Sequence, residues 1–490
     1  MSHITLSEHT FRKGKFITPF NAIPHTMELP DDQSWFYGRM PEYLWIGLIL
    51  KWFGRDSGLK ILHLIAAKLH ILAPELLTAR ISLITALPDD TQEKLYDYIL
   101  SLMDKKALSP LTIFLTTTKA PIFAQKFHSD MSIEDRCEKL IETMRELADH
   151  QSNESTDIRY VALYYRLLSG KLHLPESQMK LIELYPITTH EDEIMRSIRP
   201  SIRVIEQMIL VLADTSKEYL QMFWRCISEM TECASFSVVF PKETRDIASY
   251  MKGLKEIFQY LSNLYISTSP LDNKMTVIMG ISTYSYKRLK EANDHNLFNA
   301  ISGRSCIRVM IENYIILKYL LKHESEHTDI WRDYQLYGLG QYKLVLERHR
   351  EGNANAESHF DQTYIELLVN EFKDETYLDM DTKYFDNQNI RLKAESVEEK
   401  PLYGLYYDYD SAFEHGLWGA IRESSMLKCN NPTHQYHCIP DVEDMNRLKS
   451  VLADCVMIMN KTVSLLNELY GIPQSLLNEV LGFELQPIAQ

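Results

Sequence analysis

Along most of the chain, apolar residues return every three or four positions, the period of an α-helix with one face turned to a core. Pro41 suits the first turn of such a helix, Tyr43 to Phe53 carries its apolar mass, and Gly54 provides a stop. Ile247, Tyr250, Met251, Leu254, Ile257, Phe258, Leu261 and Leu264 form a second stripe. A third runs through Met445, Leu448, Leu452, Cys455, Met459, Val463, Leu466 and Leu469, with Asp441 placed to cap it and Gly471 and Pro473 to end it. That span predicts a helix of about 30 residues, roughly 45 Å long.

Two-residue alternation is scarce. Thr112–Thr116 and Ser235–Phe240 (SFSVVF) are β-like but have no hairpin partner beside them. The pattern therefore predicts an all-α, multi-helix protein with a C-terminal helical bundle and little or no sheet. Polar stretches at 151–157, 266–273, 351–357 and 374–401 read as loops or surface excursions. They suggest an N-terminal helical region over 1–130, a middle helical region over 131–269 and a C-terminal bundle over 270–490.

Composition sharpens this picture. Only 17 of the 490 residues are glycine, half the usual share of roughly 7%. That is too few for glycine-rich phosphate loops or many tight hairpins. Lys and Arg number 52 against 67 Asp and Glu, a net charge of −15, which disfavours broad binding to nucleic acid or anionic membrane while leaving room for a local basic groove. Met1–Phe20 has no continuous apolar run, and no stretch reaches the roughly 20 residues needed to cross a bilayer. The expectation is a cytoplasmic protein without membrane contact, its seven cysteines reduced. Neither GxxxxGK[ST] nor GxSxG occurs, Gly338-Leu339-Gly340 lacks the rest of a dinucleotide fingerprint, and no CxxC pair exists.

Three constellations could carry chemistry. His323-Glu324-Ser325-Glu326-His327 satisfies HExxH, in which two histidines one turn apart bind zinc and the glutamate polarises water. Glu347 is a conceivable third ligand. The charged surroundings (Lys322, Thr328, Asp329) fit a solvated turn between helices better. Cys429, His434, His437 and Cys438 lie within ten residues and could supply a zinc set, yet adjacent His437 and Cys438 cannot easily face one ion. The Asn430-Asn431-Pro432 turn suits a loop that ties down its own backbone; a third reading turns His434 and His437 to a pocket.

The third constellation is polar residues striped along apolar helices. Arg304, Arg308 and Glu312 share one face of the first; Ser411, His415, Trp418 and Arg422 share one face of the second, with Asp410 and Glu414 alongside. Gly416 and Gly419 would let a neighbouring helix approach closely. Charges are rarely buried alone, so the two faces should meet. A histidine near arginine and carboxylate can move protons; the same seam can equally fix register between helices.

Gly303-Arg304-Ser305, Glu312-Asn313-Tyr314 and Tyr409-Asp410-Ser411 with His415-Gly416 resemble a bacterial family of unknown function that pairs an Arg…Glu helix with a Ser-x-x-x-His-Gly helix. The resemblance covers about Asn273 to Leu469, and Arg39-Met40-Pro41-Glu42-Tyr43-Leu44-Trp45 is similar to an extension of longer members. The architecture is also similar to HEPN proteins, which include RNA-cleaving toxins and antiviral effectors. Those place His four to six residues after Arg. Here His415 has no such Arg, and Arg422 follows it by seven. The resemblance implies a metal-independent, ribonuclease-like site acting on RNA or nucleotides in stress or phage defence, without cofactor. It would comprise His415, Arg304, Arg308, Glu312, Ser411 and Asp410. The alternative is a non-enzymatic interaction or regulatory module, with another protein or a second copy as partner.

Overall fold

The computed structural model describes residues 10–12, 14–17, 34–170, 172–209, 217–267, 272–351, 359–370, 386, 388–443 and 448–486. They are overwhelmingly helical, and the chain divides into two compact units. Unit 1 comprises Met1–Phe236 with Lys428–Ile439; unit 2 comprises Ser237–Leu427 with Pro440–Gln490.

Unit 1 contains α1 (Met40–Phe53), α2 (Arg55–Leu72), α3 (Ile81–Ile84), α4 (Asp89–Leu102) and α5 (Pro121–Phe127). It continues with α6 (Ile133–Leu147), α7 (Asn153–Leu168), α8 (Glu176–Leu184), α9 (Met195–Ile209) and α10 (Lys217–Glu229). Helix α1 starts where Pro41 predicts and is buried on all sides from Met40 to Ile49. It packs against α2, α6 and α7. A side chain at Gly47 would stand 2.8 Å from Leu147 Cδ1, so glycine sets how closely α6 approaches. A π-helical turn, Trp35–Arg39, leads into α1 and delivers a buried charge knot. There Arg39 donates to Glu206, Arg159 Nε lies 3.6 Å from the same carboxylate, and both guanidinium groups stack on Trp35.

Unit 2 contains α11 (Ala248–Ile266), α12 (Asn273–Asp294), α13 (Ile301–His323), α14 (Ile330–Glu351) and α15 (Gln362–Val369). After α16 (Ile390–Ser396), a π-helical turn Leu402–Tyr407 runs into α17 (Asp408–Glu414), then α18 (Trp418–Ser425), α19 (Leu452–Tyr470) and α20 (Gln474–Leu481). Helix α13 is the axis of the core, surrounded by α12, α16, α17 and α19. Its glycine is obligatory in place: a Cβ on Gly303 would lie 2.3 Å from the Leu297 carbonyl oxygen.

Sheet is confined to short pieces. Strands β1 (Thr10–Arg12) and β2 (Lys15–Ile17) form a hairpin. Strands β3 (Ser235–Phe236), β4 (Met426–Cys429) and β5 (Cys438–Pro440) form the second sheet in that order. The β-like run at 235–240 is thus a strand only at its first two residues, and its antiparallel partner is distant in sequence. Thr112 lies instead in a 3₁₀ turn, Ser109–Ile113, where its hydroxyl donates to the Ser109 carbonyl.

Three loop and helix limits differ from the sequence reading, the first being α16, which lies inside the polar stretch 374–401 and buries Lys393 and Ala394. The polar stretch 151–157 is mostly the first turn of α7, because Ser152 accepts from the Ser155 N–H as an N-cap. The long C-terminal helix begins at Leu452, not near Asp441. The Leu448 and Val451 N–H groups are taken by the Asn299 and Phe298 carbonyls, which holds that backbone out of the helix. Met445 lies outside the described residues, as do parts of the excursions at 351–357 and 374–401.

Candidate functional site

The two polar stripes do meet, but not along their full length. On the inner face of α13, Arg304 is 5% exposed and donates through Nη2 to the Lys449 carbonyl at 2.8 Å. Its guanidinium packs against the rings of Tyr409 and Phe413. Asp410, 3% exposed, places Oδ1 4.0 Å from Arg304 Nε, and neither atom has a hydrogen-bond partner among the described residues. Burial pushes the Asp410 carboxyl up to about 7; Arg304 opposes the rise, while Asp454 and Glu423 add to it. Burial also raises Asp454, against Arg304 and Lys449.

One turn further, Arg308 is fully engaged. Its Nε donates to Ser411 Oγ at 2.9 Å, Nη2 to the Tyr407 hydroxyl at 2.7 Å, and Nη1 stands 3.3 Å from Glu312 Oε2. The Tyr407 hydroxyl in turn donates to Glu312 at 3.3 Å. Burial and the Glu312 charge push Tyr407 up to about 12, against Arg308. The π-helical turn before α17 supplies Tyr407, a contributor that the sequence reading did not include; Tyr403 stacks on it. Glu312 borders an open groove of about 600 Å³ between α13 and α14, lined also by Val309, Asn313, Tyr334, Tyr337 and Gly338.

His415 is not part of this seam. The second helix breaks immediately after it. Gly416 takes φ +57°, its N–H donates to the Phe413 carbonyl, and the Leu417 N–H donates to the Ala412 carbonyl. That pair of bonds is a Schellman ending, which needs a left-handed residue and so uses glycine. The stripe Ser411, His415, Trp418, Arg422 is therefore split between α17 and α18. His415 caps α17 in solvent with no side-chain partner among the described residues.

Residues 294–434 match a family of unknown function, DUF5677. The match is narrower at both ends than Asn273–Leu469, and holds α13 to α18 with both polar stripes. No curated protein and no solved structure matches the chain. Among the described residues, no helix is long and apolar enough to cross a membrane.

The DUF5677 segment also contains HExxH, which the structure takes apart. Helix α13 ends at His323, and the two histidines take different carboxylate partners. His323 pairs with Glu326 at 3.1 Å and His327 with Asp333 at 2.7 Å. Glu324 accepts from Lys274 and from Trp331 Nε1, and Glu347 pairs with Arg350 on α14. Among the described residues, one set of donors could hold a metal ion: Cys233, Cys429, His434 and His437, all in unit 1. Three of these belong to the cysteine–histidine loop singled out in the sequence. The fourth is Cys233, from outside the DUF5677 segment, in place of Cys438.

Proposed function

We propose that the protein is a non-enzymatic helical module that associates through α17–α18. The observation that carries this reading is an inversion of the usual polarity on the element bearing the family motif. Arg304, Arg308 and Asp410 are turned inward and engaged within the fold. Leu405, Tyr409, Leu417, Trp418 and Ile421 are 38–66% exposed along the stretch of chain that carries Asp410. Exposed apolar side chains so concentrated mark a protein-binding surface, and tryptophan commonly anchors one. The partner is a second copy of the chain, since one self-complementary patch related by a two-fold axis serves both sides of such a contact.

Sedimentation of the full chain over a concentration series tests this. The wild type should self-associate, and Leu417→Ser with Trp418→Ser should weaken association at least tenfold with the melting temperature unchanged, because both side chains face solvent. A monomeric wild type, or a variant that associates equally well, overturns the reading.

A second reading, an RNA- or nucleotide-acting effector of HEPN-like type, is favoured by the Arg308–Glu312–Tyr407 cluster beside a groove carrying Tyr334 and Tyr337, since aromatic rings can stack on bases. It predicts cleavage of single-stranded RNA by the purified chain, lost on Arg308→Ala.

A further inference from the structure

We propose that Cys233, Cys429, His434 and His437 form a structural zinc site in unit 1. The backbone brings the donors together before any metal is considered. Cys233 lies between α10 and β3; antiparallel pairing sets Ser235 opposite Cys429, and the Asn430 N–H donates to the Ala234 carbonyl at 2.8 Å. The loop then turns back on itself. Asn431 caps the 3₁₀ turn Pro432–His434, Gln435 and Tyr436 adopt φ of +56° and +51°, and the Cys429 N–H closes on the His437 carbonyl at 2.9 Å. Asn431 Nδ2 also donates to Thr231 Oγ1 and the Glu232 carbonyl, fastening the loop to the segment carrying Cys233.

Two of the donor spacings match the edges of a zinc tetrahedron. With arms of about 2.3 Å to sulfur and about 2.05 Å to nitrogen, its edges are roughly 3.3–3.8 Å. Cys233 Sγ stands 3.3 Å from His437 Nε2, Cys429 Sγ stands 3.8 Å from His434 Nδ1, and all four donors lie within 4.8 Å of one another.

The surroundings prepare the ligands for a cation. His434 Nε2 lies 3.0 Å from the Thr231 carbonyl and 3.2 Å from that of Ser228. Carbonyl oxygens only accept, so Nε2 carries the proton and Nδ1 turns its lone pair toward the thiols. This is the outer support that metal-bound histidines commonly have. Cys429 is fully buried, and its sulfur accepts from the Asn431 N–H at 3.4 Å, which fixes the direction of the side chain. Two thiolates neutralise a divalent ion and two neutral imidazoles complete it. An S₂N₂ tetrahedron selects zinc, and four protein ligands leave no open position for chemistry. Cys438 follows His437 directly on an extended strand, so its side chain points to the other face. The metal would join residues 204 apart in sequence and pin the Lys428–Ile439 segment within unit 1.

Elemental analysis of the full chain, expressed with zinc and passed through a chelating column, tests the site. One zinc per chain is expected in the wild type and in Cys438→Ser, and almost none in Cys233→Ser or His437→Ala. Because a ligand variant can fail to fold, the wild type is also alkylated with and without a strong chelator. Exposed Cys233 should resist modification until the zinc is withdrawn, and cobalt in place of zinc should give the absorption bands of a tetrahedral thiolate complex. Zinc far below one per chain, equal loss in Cys438→Ser, or a Cys233–Cys429 disulfide in freshly prepared protein overturns the proposal.

Discussion

Each unit buries an arginine–carboxylate cluster beside a π-helical turn, and the two clusters are balanced in opposite senses. In unit 1, two arginines share one acid: Arg39 and Arg159 converge on Glu206, with Trp35 beneath both. In unit 2, two acids face one arginine: Arg304 lies near Asp410 and bears on Asp454 as well. The unfavourable part of burial therefore falls on different groups. Burial lowers Arg159 to about 10, drawn back by Glu206, which still leaves it charged at any physiological pH. The same cause lifts Asp410 to about 7. A cluster rich in arginine is electrostatically fixed, whereas one rich in carboxylate responds to pH in the range where cells operate.

The largest effect should come from Glu206→Ala. It removes the carboxylate on which two buried guanidinium groups converge, and stripping one partner from a buried pair costs about 3–5 kcal/mol. Urea denaturation should show that loss. A change below about 1 kcal/mol would mean that Trp35 stacking and solvent already satisfy both arginines, and the contrast between the units would fail.

Asp410→Asn sharpens the other side. The folded carboxyl has a raised pKa, so between about 4 and about 7 the folded chain binds more protons than the unfolded chain, and stability falls as pH rises through that window. The Asp410 share of that fall is roughly 2–4 kcal/mol, and the asparagine variant should lose it. Below the window the two proteins should be similar; above it the variant should be the more stable. Parallel stability profiles would show that Asp410 is ionised throughout.

The seam was half legible in the sequence for a definable reason. Spacing of i and i+4 on α13 placed Arg304, Arg308 and Glu312 on one face, and burial made them seek partners on α17. Gly416 was visible too, but as a site of close packing; its positive φ instead ends the helix and turns His415 out. The start of α19 was hidden because the bonds that hold back Leu448 and Val451 come from Asn299 and Phe298, far away in sequence. Cys233 was hidden in the same way, behind the register of β3 on β4. One signal did point to it: a β-like run with no local partner must pair with something distant, and Cys233 stands just before that run.

The smallest effect belongs to the residue that the motif made most prominent. His415 is exposed at the end of α17, and no described residue bonds to its ring. Its backbone makes the helix-ending contact through the N–H to the Ser411 carbonyl, which alanine keeps. His415→Ala should therefore change stability by no more than about 0.5 kcal/mol at neutral pH. Measuring the variant beside Asp410→Asn separates the two halves of α17: replacing the inward acid should change stability and replacing the outward histidine should not. A loss above about 1 kcal/mol on His415→Ala would mean that the imidazole makes a hydrogen bond in solution, and would return it to the seam.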